Sequence, residues 1–240
     1  AASDVYKRQL IFFPTGGGKT EAYQALIAIS LFHSRLRGKV TGVEVFMRYT
    51  LRLLTAQQFL RAASLIACME VIRRKYEIPG KRFSIGIWVG KATSPLKRDD
   101  AIKKLISLQK SQDSHHPFVL TRCPHCSTSI GPTQGDAPRD LRWPGLDLLM
   151  SPLTGNKKTV AFICPNNECP FSDDQNPIPA VVIDEDIFDL KPSLVIATLD
   201  KFAQVAFNEE IRSLFGISKE GQRELEAPSL IIQDELHLIS

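Results

Sequence analysis

Three glycines followed by Lys and Thr, Gly16-Gly17-Gly18-Lys19-Thr20, stand between an apolar tetrapeptide, Leu10-Ile11-Phe12-Phe13, and a segment of helical spacing over residues 20–36. A short buried strand, a glycine-rich loop and a helix start is the setting that a phosphate loop requires. Glycines let successive backbone N–H groups turn inward around phosphate oxygens. The start of the helix adds a favourable field. Thr15, Gly16, Gly17, Gly18, Lys19 and Thr20 are the expected ATP cradle, with Lys19 bridging the β and γ phosphates and the Thr20 hydroxyl on Mg²⁺. The position five before Gly18, usually glycine, is Phe13. The bland alternative is a glycine-rich turn before an ordinary helix.

The rest of the chain alternates short apolar runs with helical segments. Residues 43–47, 82–89, 180–183, 194–197 and 229–233 read as strands, and residues 55–76, 99–109 and 200–215 as helices. In the first helix Ala22, Ala25, Leu26, Ile29 and Phe32 are expected to share the buried face. Strands separated by helices imply an α/β fold with a parallel sheet. With 43% hydrophobic and 23% charged residues in 240, the chain is ordinary for a folded protein. It contains no apolar run long enough to span a membrane and no signal-peptide core, so no membrane partner and a cytoplasmic setting are expected.

The last strand runs into Asp234-Glu235-Leu236-His237. Acids at the C-terminal end of such a strand face the same sheet edge as the phosphate loop. Asp234 is expected to hold Mg²⁺, and Glu235 to orient or deprotonate the attacking water. Lys19, Asp234 and Glu235 are thus the candidate catalytic residues, and His237 is a candidate for coupling nucleotide state to another element.

Four of the five cysteines form a Cys-x₂-Cys pair, Cys123 and Cys126, and a Cys-x₄-Cys pair, Cys164 and Cys169. Each pair places two sulfurs on one side of a tight turn, and four thiolates suit tetrahedral Zn²⁺. Four unligated thiols and an iron–sulfur cluster are the alternatives. Phe118, Val119, Phe162 and Ile163 precede the pairs, as in a zinc ribbon. His125 reads as a neighbour rather than a ligand, and Cys68 lies in an apolar helical stretch. Residues 111–179 are punctuated by Pro, Gly, Ser, Asn and Asp, and they read as an insertion that a metal helps to fold. Trp143 within it can stack or dock, whereas Trp88 reads as core.

Lys plus Arg total 30 against 26 for Asp plus Glu, a net of +4. The distribution says more than the sum. Residues 73–104 carry Arg73, Arg74, Lys75, Lys81, Arg82, Lys91, Lys97, Arg98, Lys103 and Lys104 against only Glu77, Asp99 and Asp100. Either a phosphate backbone lies there or the run is a solvated helical face. Residues 173–189 reverse the sign.

With both nucleotide motifs in view, the chain resembles the first RecA-like domain of a superfamily 2 helicase of the Asp-Glu-x-His type. More closely, it resembles the helicase subunits of the DISARM anti-phage system and their bacterial relatives. The likeness is carried by residues 12–23, by Arg48-Tyr49-Thr50-Leu51-Arg52-Leu53-Leu54-Thr55-Ala56-Gln57-Gln58, by Ala197-Thr198-Leu199-Asp200-Lys201-Phe202-Ala203 and by residues 232–239. The implied fold is a RecA-like P-loop sheet, helices on both faces, interrupted by a zinc-ribbon-like insertion. The implied function is an ATP-dependent helicase or translocase acting on nucleic acid, with DNA the expected strand, and with partner subunits of a defence complex. Arg48, Thr50, Arg52 and Gln57, then Thr198, Asp200 and Lys201, fall where the family touches the strand backbone. Such contacts position a strand without reading its sequence.

The expected layout is residues 10–110 and 180–240 as the two parts of the RecA-like domain, with 111–179 as the insertion. Residues 1–9 resemble translated sequencing-adapter sequence and are expected to be non-native. The second RecA-like domain that the resemblance implies, with the arginine it supplies to the ATP site, and the upstream adenine-contacting segment are missing, so the chain is expected to be an ATP-binding fragment of a longer enzyme, inactive alone. The competing reading is a nucleotide-gated DNA-binding or scaffold protein with little ATP turnover. A metabolic P-loop kinase and serine hydrolase chemistry lack support in the motifs.

Overall fold

The computed structural model describes residues 18–39, 41–50, 52–90, 94–110, 118–131, 143–204 and 207–234. The expected strand at Leu10 to Phe13, together with Thr15, Gly16, Gly17, Glu235 and His237, lies outside them. The described chain is an α/β fold on a five-stranded sheet in which every pairing is parallel. In chain order its strands are β1 (Val45–Tyr49), β2 (Ile85–Trp88), β5 (Ala180–Val181), β6 (Leu194–Thr198) and β7 (Leu230–Gln233). Their order across the sheet is β5-β2-β6-β1-β7. A separate antiparallel hairpin joins β3 (Leu146–Leu149) to β4 (Thr159–Phe162).

The strands are apolar at nearly every position because both faces of the sheet are covered. Alternate residues serve two cores. Val45, Met47 and Tyr49 of β1, Ile85 and Ile87 of β2, and Leu194 and Ile196 of β6 enter the larger cluster. Phe46, Trp88, Val195 and Ala197 enter the other. Helices α1 (Lys19–Leu36) and α2 (Arg52–Lys75) cover the first face, the latter with Phe59, Ala62, Ala63, Ile66 and Ala67. Helix α4 (Asp184–Leu190) and the short α6 (Glu209–Arg212) cover the second with Ile187 and Ile211. Gly86 permits this approach: a Cβ there would meet Pro192 Cγ at 3.1 Å and Ile187 Cγ1 at 3.2 Å.

Several expectations need correction. The buried stripe of α1 is Tyr23, Ile27 and Leu31, whereas Ala25, Leu26 and Ile29 are exposed. The helix is apolar around most of its girth, so spacing alone does not fix its rotation. The single helix expected over residues 200–215 is divided into α5 (Leu199–Ala203) and α6, because the Asn208 side chain accepts from Glu210 N–H at 2.9 Å and starts a new helix. Cys68 is exposed. Trp143 is buried among core residues rather than presented for stacking.

The basic run divides: Lys75, Lys97, Lys103 and Lys104 are exposed, whereas several of its other cations are committed within the protein. Arg73 grips buried Glu70 with two hydrogen bonds of 2.7 and 2.8 Å. Arg82 donates to the Pro177 carbonyl at 2.5 Å and Lys81 to that of Leu190. Arg98 bonds Asp186 at 2.5 Å and also Asp189. The acidic segment therefore answers the basic one in space, and α4 forms where the two meet. Helix α3 (Arg98–Lys110) begins at that junction.

At the N-terminal edge of the sheet, buried Glu44 is held by Lys39 at 2.7 Å and Ser34 at 2.9 Å, and by Ser229. Burial raises the cost of its charge, but these partners outweigh it and hold the carboxyl below its ordinary range. The opposite edge carries the site.

Candidate nucleotide site and metal centre

The C-terminal ends of β1, β6 and β7 lie side by side, with Tyr49 opposite Thr198 and Arg48 opposite Gln233. This is the edge at which parallel α/β sheets hold ligands. Gly18 caps α1 at φ 75°, a left-handed conformation that glycine adopts without steric cost. Its carbonyl accepts from Ala22 N–H at 3.0 Å. Gly18 has no side chain with which to cap the first turn. Amides of that turn therefore face an edge suited to an anion.

Lys19 follows, half exposed, and its Nζ lies 2.8 Å from Asp234 Oδ1. The structure thus brings together the two motifs from the two ends of the chain. Thr20 is joined to Asp234 through Tyr23, whose Oη lies 3.1 Å from Thr20 Oγ1 and 3.3 Å from Asp234 Oδ2. The donor set is a near-buried carboxylate, a hydroxyl and an ammonium. Such a set fits a hard cation together with the phosphate oxygens that such a cation binds. Sequence reasoning missed Tyr23, Tyr49 and Gln58. The available signal was Tyr23 itself, because a phenol on a buried helix face needs a polar partner.

The residues assigned to strand contact divide. Arg48 lays its guanidinium 4.6 Å from the centre of the Phe202 ring, and burial lowers its pKa. Its Nε, together with Thr50 Oγ1 and Thr198 Oγ1, is buried without a hydrogen-bond partner among the described residues. Gln57 and Asp200 are exposed, and Arg52 opens α2. Lys201 points inward, 3.9 Å from Asp184 Oδ2 and 5.7 Å from the centre of the Trp88 ring. Burial pushes the Asp184 carboxyl up to about 6, with Lys201 opposing.

The four paired cysteines converge, with every Sγ within 4.8 Å of the others. Cys126 and Cys164 are 3.3 Å apart, and Cys123 and Cys169 are 3.8 Å apart. These gaps are too long for disulfides, whose sulfurs lie about 2.05 Å apart. Thiolates about 2.3 Å from a tetrahedral zinc sit roughly 3.8 Å from one another, so the set fits that ion. Burial opposes charge on Cys126, but hydrogen bonds from Thr128 outweigh it and bring the thiol to about 6. Burial raises Cys164 and Cys169. His125 stands 3.8 Å from Cys169 Sγ, outside the four-sulfur set.

The cluster is fastened to the sheet domain. Arg74 of α2 donates to the Pro170 carbonyl at 3.2 Å and to Asn176 Oδ1 at 2.9 Å, and lies 4.9 Å from the centre of the Phe171 ring. Phe118, Trp143, Phe162 and Phe171 share the main core with α1 and α2.

Comparison with known proteins agrees with the motifs. The chain is 33% identical to the DISARM protein DrmA of Bacillus paralicheniformis over 272 aligned residues, which cover 96% of this chain and 23% of that protein. It is therefore close to DrmA along nearly its whole length while spanning about a quarter of the relative. No protein-family model matches the chain. Among the described residues, no helix is long and apolar enough to cross a membrane.

Proposed function

We propose that this chain is the ATP-binding part of a nucleic-acid-dependent helicase or translocase that works on DNA in phage defence. The observation that carries the reading is the Lys19–Asp234 pair beside Thr20, at the C-terminal edge of a parallel sheet. Likeness to a DISARM protein supports the same assignment and supplies the defence setting.

In this reading Lys19 turns from Asp234 to the β and γ phosphates, while the amides of the first turn of α1 receive phosphate oxygens. Thr20 and Asp234 hold Mg²⁺, which offsets the charge on the transferring phosphoryl group. Glu235, the next residue, orients the attacking water and takes its proton. Arg48, Thr50 and Thr198 line the neighbouring strand ends and contact the nucleic-acid backbone; their buried, unpartnered polar atoms await such acceptors and donors. Arg52, Gln57 and Asp200 extend that surface, Lys201 braces it from within through Asp184, and His237 links it to nucleotide state. The four cysteines hold Zn²⁺ as a structural ion. A cytoplasmic location and partner subunits complete the proposal.

The test is binding of a fluorescent ATP analogue to the full-length protein. Lys19→Ala should weaken it by more than tenfold, since a charge-assisted contact to phosphate contributes roughly 1.5–3 kcal/mol. Equal binding by both proteins would contradict the assignment.

A further inference from the structure

Two tyrosines are built into the floor of the nucleotide site. Tyr23 lies one helical turn after Thr20, and Tyr49 closes β1. Both rings are buried in the main core, at 7% and 1% exposure, and their hydroxyls meet at 3.1 Å. Tyr49 donates to Tyr23. Tyr23 Oη in turn lies within reach of three groups: Thr20 Oγ1, Asp234 Oδ2, and Gln58 Oε1 at 3.4 Å.

A phenol has one proton to give and two lone pairs to receive. Tyr49 fills one receiving position, and the Tyr23 proton is directed at three acceptors, Thr20 Oγ1, Asp234 Oδ2 and Gln58 Oε1. The charged carboxylate is the strongest of these acceptors. Asp234 is consequently gripped at both oxygens, by Lys19 on Oδ1 and by Tyr23 on Oδ2.

We propose that Tyr23 is a positioning residue of the nucleotide site: it orients the Asp234 carboxylate and the Thr20 hydroxyl, the two groups that present oxygens to Mg²⁺, and ties them through Tyr49 to the end of β1. The inference rests on the nucleotide reading above. It adds a physical path from the cation site to the end of β1. When Lys19 leaves for phosphate, Tyr23 keeps the carboxylate aimed. Without that hydroxyl the two ligands can turn independently, so cation binding suffers while phosphate contacts through Lys19 and the loop persist.

The test titrates MgCl₂ into complexes of mant-ATP with the full-length protein, comparing wild type, Tyr23→Phe, Tyr49→Phe and Lys19→Ala. Tyr23→Phe keeps the buried ring, and thermal melting checks the fold. The expected result is a Mg²⁺ midpoint raised roughly tenfold in Tyr23→Phe, as loss of a hydrogen bond to a charged group implies. Its metal-free mant-ATP affinity should stay at the wild-type value. Tyr49→Phe should shift the midpoint in the same direction by less. A wild-type midpoint in Tyr23→Phe, or equal weakening with and without Mg²⁺, overturns the inference while leaving the nucleotide reading intact. A wild-type protein that binds no mant-ATP, or binds it as Lys19→Ala does, overturns the nucleotide reading itself.

Discussion

Lys19 Nζ and Asp234 Oδ1 are 2.8 Å apart, although the first opens helix α1 and the second follows the last described strand. The contact depends on β7 lying beside β1, which carries Asp234 to the edge where α1 begins. Asp234→Asn removes the anion that Lys19 now meets while keeping the shape of the side chain. Nucleotide binding without Mg²⁺ should be retained, and hydrolysis should fall on the order of 10²–10³-fold, the size of effect seen when one preorganised electrostatic group is lost. Steady-state hydrolysis and binding measured on the same variant check both halves.

The cysteine cluster should hold one zinc per chain. Elemental analysis of protein purified without added metal is expected to give one equivalent, lost in Cys123→Ser. Because the metal ties loops that share the main core with α1 and α2, its removal by chelation should lower Tm by about 10 °C, the equivalent of roughly 3 kcal/mol in a domain of this size. Arg74→Ala should cost about 1–2 kcal/mol by releasing the second knuckle, with zinc content unchanged. Full stability of a metal-free protein would contradict this role.

Arg98 lies in the most basic stretch of the chain, yet it is committed to Asp186, Asp189 and Glu185. Arg98→Ala leaves buried Asp186 short of its cation and should destabilise the protein by about 3 kcal/mol. DNA affinity and its salt dependence should not change. Denaturant unfolding and a binding titration at several salt concentrations separate these effects.

Asp184 gives a pH signature. Its ordinary carboxyl value of 3.8 rises to about 6 through burial, only partly offset by Lys201. Between those values the folded protein holds a proton that the unfolded chain has released. The favourable contribution is therefore complete below 3.8 and lost as pH rises through 6. Asp184→Asn has no such charge to bury. Its stability relative to wild type should rise by ~2–3 kcal/mol from about pH 4 to about pH 8. A difference independent of pH would contradict the assignment.

The nucleotide motifs were legible because the glycine-rich run stands directly before a segment of helical spacing, and the acidic pair sits at the end of an apolar run. Their meeting at Lys19 and Asp234 follows from parallel-sheet geometry. Tyr23 was hidden because its role depends on the rotation of α1, and an apolar helix leaves that rotation ambiguous. Helix α4 was hidden for another reason. Asp184 and Asp186 are buried acids whose cations, Lys201 and Arg98, are remote in sequence or belong to the opposite charge run. Charge counted along the chain suggested two solvent-facing or phosphate-facing segments, whereas folding places them against each other. The two cysteine pairs were readable from spacing alone, but the attachment of Arg74 to their second loop was not.

The most direct measurement is ATP hydrolysis by the full-length protein with and without single-stranded DNA, beside Lys19→Ala. The account predicts hydrolysis that DNA stimulates severalfold and that the substitution abolishes. Nucleotide binding without DNA-stimulated turnover, or turnover unaffected by Lys19→Ala, would contradict it.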